Sequence, residues 1–591
     1  MTNGTLPTNI GYAVDRRWTT RARAYFLKNE WLRGYTLLSP TLLVMICLLA
    51  MPIFMLINYS FWSQTYVHID ETFTLKNYVT FFDKFHIYGK ILWKSIKISG
   101  MVTCFTILLA YPVAYFLAFR VKKNLMVWLV LINIPFVTSY LLRVIAWKVM
   151  LGNQGVINAS LMDLGFIEAP LEYLLYSRFA VVLTLTHAWA AFAILPIYVS
   201  LQKIDRSLLE AAADLGDGPI KRFFRITLPL SMPGVIAAAV IEFIPTVGDY
   251  ITPLMVGGTR GTMIGQFVAN QFGVANNWPL GAALSIIIMI VITTIACTFI
   301  YFARWGTVKV KDMETTSTRP EPAHIGGRRF DWLLPYMFLY LLFLYIPSLM
   351  LPIFSFNDSI QMVLPLKGFT FKWYVALADT PGLLTSLVNS LKLGIPVAII
   401  TVILATLAAK ALTRYRMPGR SIAIGFILLP MVMPGIITAV GLLVLTLAVG
   451  IDLSLWTIGV AHVMTFLPFA TLVVMARLDG FAKSIEEASL DLGMSAFMTF
   501  WRITFPLILP GIVAALLLTF TASIDEFLFA LFLGGNQVTL PVFIYSQVRF
   551  PQTLPAVLAL GALLFMFSVV LVVLALWLRN LGQKNPKMVA N

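Results

Sequence analysis

A few ionisable side chains stand inside stretches of sequence that are otherwise almost wholly apolar. Glu242 interrupts one such run and Asp249 follows it, Asp525 and Glu526 close a second, and Arg143 lies within a third. A charge held where water is scarce costs at least a few kcal/mol, so its presence points to use. Grouped carboxylates suit a cation, which they can hold by charge and by hydrogen bonds. Tyr140, Trp147 and Trp189 could stack on the same cation. Arg143 could be the counter-ion of the acids, or could snorkel to water. Alternatively, Asp249, Asp525 and Glu526 form an outer gate or cap with Arg143. His187 and His462 are single and are read as packed or hydrogen-bonded side chains, not as ligands.

Other chemistry is not expected. Cys47, Cys104 and Cys297 fall in apolar runs with no paired spacing, so they read as small buried hydrophobes and no metal site is foreseen. There is no Gly-x-x-x-x-Gly-Lys-Ser/Thr run to cradle phosphates. Nor does any His, Cys or carboxylate cluster offer catalytic geometry, so the chain is not expected to be an enzyme or to bind a cofactor itself.

The elements that position these residues follow from composition. Of 591 residues, 59% are hydrophobic and only 12% charged, about half the charge of a soluble domain. Apolar runs long enough to cross a bilayer recur from end to end. The expected fold is therefore an all-α polytopic membrane protein, since lipid offers no partner to an open backbone. Twelve spans are expected, near 36–60, 95–119, 125–149, 179–201, 231–253, 281–303, 333–356, 388–412, 422–447, 455–476, 508–532 and 555–578. The first is too long for a cleavable leader and ends without a small-residue cleavage site, so it is expected to stay as a span.

The net charge of +16 sorts by side. Arg16, Arg17, Arg21 and Arg23 precede the first span, and Lys203, Arg206, Lys221, Arg222 and Arg225 follow the fourth. Lys410, Arg414, Arg416 and Arg420 follow the eighth, whereas residues 150–177 hold no Lys or Arg. That places both termini in the cytoplasm and excludes nucleic acid as a partner; membrane lipid is the expected surround. Counting about 1.5 Å per residue from the cytoplasmic side puts Glu242 roughly 16 Å into the fifth span, near the midplane. Asp249 lies about 10 Å further out by the same rise.

The chain repeats itself. At an offset of 295, Pro40 meets Pro335, Ser95 meets Ser390 and Pro135 meets Pro430; beyond the third span the offset is 277, and Glu210 meets Glu487, Gly216 meets Gly493 and Pro229 meets Pro506. Asp249 then meets Glu526, and Glu242 meets Thr519. The chain divides into a tail (1–34), a first half (35–304), a polar linker (305–331), a second half (332–580) and a tail (581–591). Two parallel six-helix repeats should be related by a pseudo-two-fold axis along the membrane normal, with a pathway at their interface.

The best-matched segments are cytoplasmic. One reads Ser207-Leu-Leu-Glu210-Ala-Ala-Ala-Asp-Leu-Gly216, nine residues, then Ile226-Thr-Leu-Pro229. The other reads Ser484-Ile-Glu-Glu487-Ala-Ser-Leu-Asp-Leu-Gly493, nine residues, then Ile503-Thr-Phe-Pro506. Ser-x-x-Glu predicts a capping box opening a short helix. The glycine predicts a left-handed turn ending it. A basic, aromatic segment then runs to the proline, beyond which the next span should begin. A simple tether needs no such fixed Gly-to-Pro spacing.

This repeated pattern resembles the signature loop of binding-protein-dependent ABC permeases, and the resemblance covers nearly the whole chain. Within that superfamily the first half is similar to the spermidine/putrescine branch through Ile134-Pro135-Phe136, Leu142-Arg143, Ile244-Pro245-x-x-Gly248-Asp249-Tyr250 and Asn277-Trp278-Pro279. The second half is similar to the partner permease through Pro506-Leu-Ile-Leu-Pro-Gly511 and Ser523-Ile-Asp525-Glu526. The resemblance implies the permease subunit of an ATP-driven importer in a bacterial inner membrane. It makes Glu210, Ala211, Ala212 and Gly216, with Glu487, Ala488, Ser489 and Gly493, the positions that dock ATPase subunits. Two copies of a separate ABC ATPase carrying ATP and magnesium, and an extracytoplasmic solute-binding protein, are the implied partners. The cargo is expected to be a small cation of polyamine type. Permeases for opines or amino acids, phosphonate, thiamine or iron share much of the frame. A twelve-span secondary transporter is the more distant alternative.

Overall fold

The computed structural model describes residues 25, 29–66, 68–121, 123–306, 332–362 and 366–584, with side chains left undescribed at 137, 302–306 and beyond 570. The expected tails and linker lie outside the described residues except at their edges. Among the described residues, nine helices are each long and apolar enough to span a bilayer, and three bent helix pairs bring the number to twelve. In order they are Glu30–Ser60, Phe85–Phe119, Leu125–Phe136 with Tyr140–Asp163, Arg178–Trp189 with Ile194–Gln202, Pro219–Val247, Trp278–Tyr301, Leu333–Ser355, Leu383–Arg414, Arg420–Val432 with Gly435–Ala448, Leu455–Leu478, Ala496–Asp525 and Pro551–Val570. The only β-pairing beyond an isolated bridge, among the described residues, is a three-residue hairpin, Ser63–Thr65 against His68–Asp70. The fold is thus all-α and polytopic, as the composition requires.

The breaks were not expected, and prolines account for them. The third and ninth spans, which are repeat partners, bend by 74° and 99°, the third just past Pro135 and the ninth at Met433–Pro434, three residues past the matched Pro430. A proline inside a helix removes one backbone donor and pushes its ring against the carbonyl four residues back. The fourth span bends by 50° where residues 190–193 unwind into a turn, ahead of Pro196, which has no N–H to bond the carbonyl four residues back.

The fifth and eleventh spans begin earlier than expected. Each is entered through a π-helical turn, Phe223–Thr227 in one and Phe500–Thr504 in the other, at the same repeat position. Pro229 and Pro506 would clash with the carbonyls of Arg225 and Arg502. The extra residue of a π turn moves that carbonyl aside. The basic segment is therefore the first turns of the span, not a loop leading to it. Both spans also end earlier, at Val247 and Asp525.

The chain packs as two compact units. One comprises Met1–Leu49, Ile395–Leu429 and His462–Phe520; the other comprises Ala50–Gly394, Pro430–Ala461 and Thr521–Asn591. In the first, Leu38 of the first span packs with Ala408, Ala411 and Leu412 of the eighth and Ala423 and Ile427 of the ninth. Thr41 donates its hydroxyl to the Leu404 carbonyl at 3.0 Å. A Cβ on Gly34 would lie 2.4 Å from the Met417 sulfur, so glycine is what permits this close crossing.

In the second unit the seventh span does the reciprocal thing and packs on helices of the first repeat. Its Met337, Tyr340 and Leu344 join Tyr111, Leu117, Ile194 and Ile197 in one core. Three tyrosines fix the contact: Tyr336 donates to Leu109 O at 2.8 Å, Tyr340 to Ala190 O at 2.7 Å and Tyr345 to Leu131 O at 2.9 Å. The Ala190 carbonyl is freed by the break in the fourth span, so Tyr340 supplies the donor that the helix no longer provides.

Candidate functional site

Two loops carry the repeated pattern, one ahead of the fifth span and one ahead of the eleventh. In the first, a helix runs Arg206–Asp214, and Gly216 follows at φ +86°. The Gly216 amide donates to Ala213 O at 2.9 Å and the Asp217 amide to Ala212 O at 2.9 Å, closing the helix in the manner of a glycine C-cap. In the second, the helix runs Ser484–Asp491 and Gly493 sits at φ +87°, with Met494 N on Ser489 O at 3.2 Å. The glycine turns are those expected from the sequence.

The capping boxes are not. Asp205 caps the first helix, accepting from the Ser207 amide at 3.0 Å, and the second helix has no side-chain cap. The first helix starts two residues earlier than the Ser-x-x-Glu reading required and the second one residue earlier, which puts Ser207 and Ser484 inside them. Asp205, two residues upstream of Ser207, is an equally good cap and takes the position.

Both loops display the same apolar face. Leu215, Ile220 and Phe224 are exposed on one, and Leu492, Phe497 and Trp501 at the matching positions of the other; Leu215 and Leu492 are 87% and 85% open. Apolar groups clustered in this way mark a contact surface. The sequence reading missed them because it followed the Glu-Ala-Ala run; the 277-residue offset alone could have shown the matched apolar positions. Glu210, Ala211 and Gly216 are exposed beside this face, as are Glu487, Ala488 and Gly493. Ala212 and Ser489 are instead buried beneath it, and Ser489 hydrogen-bonds Thr499 at 2.9 Å. Their small size lets the loop close on itself.

In the first loop Asp217 meets Lys221 at 2.6 Å and Arg225 at 3.1 Å. The hydrogen bond from the Lys221 ammonium, with Arg225 adding charge, holds the Asp217 carboxyl below the usual carboxylate range. Any support this gives the loop is complete above the unfolded pKa and is lost only as pH falls through the lower folded value.

The acids expected in the membrane lie in the second unit and divide into separate sites. Tyr140 joins two of them: its hydroxyl donates to Asp249 Oδ2 at 3.1 Å and its amide to Asp525 Oδ2 at 3.1 Å. Asp249 also accepts from the Thr252 amide at 3.2 Å. Glu526 accepts from the amides of Leu528 at 2.7 Å and Phe529 at 2.9 Å, closing the N-terminus of the short helix Leu528–Leu533. Thus Asp249 and Glu526, repeat partners, both lie just beyond a span and cap the turn that follows. These carboxylates satisfy amides exposed at the start of the helical turn that follows, and so fix where the next segment begins.

Arg143 is buried, at 5% exposure, so it does not snorkel. Among the described residues it forms no direct ion pair within 4.0 Å, but the Asp525 carboxylate acts on it electrostatically, in keeping with the expected counter-ion. Its guanidinium carbon lies 4.7 Å from the Phe136 ring centroid and 5.9 Å from that of Tyr140, and Nε and Nη1 have no partner. The aromatic faces add to what the Asp525 carboxylate gives. His187 is satisfied on one side, Nε2 standing 3.1 Å from Leu344 O, and packs on Trp147 and Phe343.

Glu242 stands apart. It is fully buried and neither carboxylate oxygen has a hydrogen-bond partner. Trp189 packs on Phe192 with its indole N–H unpartnered, and no contact among the described residues joins it to the acids. The structure therefore brings together Tyr140, Asp249 and Asp525 with Arg143 alongside, and leaves Glu242 two turns deeper.

Comparison with known proteins gives the context. A family model described as the binding-protein-dependent transport system inner membrane component matches residues 33–303 and again 400–581. The spermidine/putrescine transport system permease protein PotB of Haemophilus influenzae is 34% identical over 229 residues, covering 39% of this chain and 78% of that protein. The permease protein PotC of the same system and organism is 36% identical over 241 residues, covering 41% of this chain and 93% of the relative. Among solved structures, a chain of a bacterial ABC transporter involved in alginate import aligns with a TM-score of 0.39 at 18% identity, covering 50% of this chain and all of that one.

Proposed function

The chain belongs to the family of binding-protein-dependent transport system inner membrane components, which it matches twice, and from that premise we propose how its parts work. It is a permease subunit of an importer, a transport subunit and not an enzyme, with two permease halves in one polypeptide. Its cargo is a small cationic solute of polyamine type, handed over by an extracytoplasmic binding protein. Two ATPase subunits, carrying ATP and magnesium, seat on the two cytoplasmic loops, and both termini are cytoplasmic.

One observation carries the reading: a glycine-turned loop with the same exposed apolar face occurs twice, at matching positions. Closure of the ATPase pair pulls on both loops, each continuous through its π turn with a span, and rocks the pathway between outward and inward access. Hydrolysis resets it. The acids at the outer ends of the fifth and eleventh spans and the deeper Glu242 supply the negative charge that a cation meets.

Uptake of radiolabelled spermidine and putrescine by proteoliposomes holding the chain, its ATPase and its binding protein tests this. Uptake that requires internal ATP and ignores ion gradients is expected; ATP-independent, ion-driven uptake would sink it. The unpaired donors of Arg143 favour a second reading, a cargo bearing a carboxylate beside its ammonium group, as in opines or amino acids. Competition by such solutes but not by polyamines would select it.

A further inference from the structure

The second loop is fastened to the membrane helices by a charged pair, and the matching positions of the first loop carry none. Glu486, just before the Glu487-Ala488-Ser489 run, turns its carboxylate inward. Its Oε2 lies 2.8 Å from Nε of Arg414, the last residue of the eighth span, and the two side chains are only 10% and 8% exposed. Its other oxygen accepts from the Thr504 hydroxyl, in the π turn entering the eleventh span. Arg414 also donates through Nη2 to the Leu478 carbonyl at 2.9 Å, at the end of the tenth span. Its guanidinium lies 4.5 Å from the Phe481 ring centroid. One buried pair thus ties the coupling helix to the ends of three spans. Lys410, a turn back along the eighth span, adds a contact over the Phe500 ring at 4.6 Å.

At the repeat offsets, Leu209 stands where Glu486 does and Phe119 where Arg414 does, while Thr227 keeps the place of Thr504. The first loop is held differently. Arg206 lies 5.9 Å from the Phe119 ring centroid, and Arg222 donates to Leu209 O at 3.2 Å. Asp217 also pairs with Lys221 and Arg225 at the entry to the fifth span, but those basic side chains are 61% and 63% exposed. Contacts of this kind tolerate sliding. A buried ion pair whose partners are each hydrogen-bonded to a further span does not, because displacement leaves two uncompensated charges. Such a pair adds little stability over apolar residues of similar size, and its distinctive effect is to fix one geometry.

We infer that Glu486 and Arg414 are positioning residues that make the second coupling helix move as one body with the eighth, tenth and eleventh spans. The first loop follows its spans compliantly, so the ATP-driven stroke is transmitted stiffly to one repeat and loosely to the other. This rests on reading the loops as ATPase couplers, and the test separates the two.

Hydrogen–deuterium exchange on the full chain alone, in nanodiscs, reads the stiffness without any partner. Protection factors over 484–491 should exceed those over 206–214 by about tenfold or more, and E486L/R414F, which copies the first repeat, should erase the difference. Equal protection in the unaltered chain, or unchanged protection in the variant, overturns the inference. In the reconstituted importer, E486L/R414F should lower transport per ATP hydrolysed about tenfold while the ATPase still binds; an unchanged ratio overturns the inference too. Should that variant fail to fold, T504V removes one hydrogen bond only and should lower the ratio two- to threefold, with no change counting against it. Failure of the unaltered chain to bind an ATPase would overturn the coupling reading instead, leaving the exchange result to stand by itself.

Discussion

Glu242 and Asp249 pose opposite problems, although both are acids in or beside one span. Asp249 is satisfied by Tyr140 and Thr252, whereas Glu242 is buried with both oxygens orphaned. An uncompensated buried carboxylate destabilises the fold by about 1–3 kcal/mol or more, so retaining it implies use. E242Q should raise the thermal midpoint of the purified chain by a few degrees while lowering transport at least tenfold. A destabilised variant, or a stabilised one that transports normally, would show that Glu242 has no such use. For Asp249 the amide keeps the acceptor and loses the charge. D249N should therefore leave stability unchanged and still weaken cation uptake roughly tenfold, while D249A should also cost about 1 kcal/mol for the lost cap. Full uptake by D249N would reduce Asp249 to a structural cap. Sequence showed which residues were out of place in an apolar run; it could not show that Glu526 meets backbone amides, because that depends on where the helix stops.

At the level of the element, the two loops were legible where the signal was local and repeated. Gly216 and Gly493 announced their positive φ because few other residues adopt it. At both, a Cβ would meet nothing within 4 Å, so substitution costs backbone strain alone. Replacing both by Val should therefore break the turn and abolish ATPase docking with membrane insertion intact. Replacing both by Asn, which tolerates the left-handed region, should retain most docking. Equal loss with Asn and Val in pull-downs would mean that the space, not the turn, matters. The apolar face gives a second handle: L215D and L492D should each weaken ATPase association roughly 30-fold, the scale of a single hot-spot residue, without altering the fold. Binding that withstands both changes would place the contact elsewhere. The Asp205 cap, the π turns and the Glu486–Arg414 pair escaped the sequence reading for different reasons. The cap was displaced by two residues, the π turn answers a steric conflict between a proline and its own helix, and the ion pair joins residues 72 positions apart.

Across the whole chain, duplication was readable in the matched prolines and glycines, but the exchange between copies was not. The first span of the first repeat packs on the eighth and ninth spans, and the seventh span packs on helices of the first repeat through Tyr336, Tyr340 and Tyr345. Periodicity cannot reveal this, since either apolar face would suit lipid or a helix equally. The exchange gives the fusion a physical meaning: each repeat lacks part of its own cover and finds it in the other copy. Cutting the chain between residues 306 and 332 should then leave two fragments that assemble when made together, co-purify through a tag on either one, and transport. The second fragment made alone should be degraded or aggregate, because Ala408, Ala411, Leu412 and Ile427 lose the Leu38 face of the first span. Adding back residues 1–60 in trans should protect it at least in part, whereas carrying L38D in that segment should cancel the protection. A second fragment that is monodisperse and stable by itself would show that the exchanged spans are ornaments on two independent halves, and the case for obligatory fusion partners would fall with it.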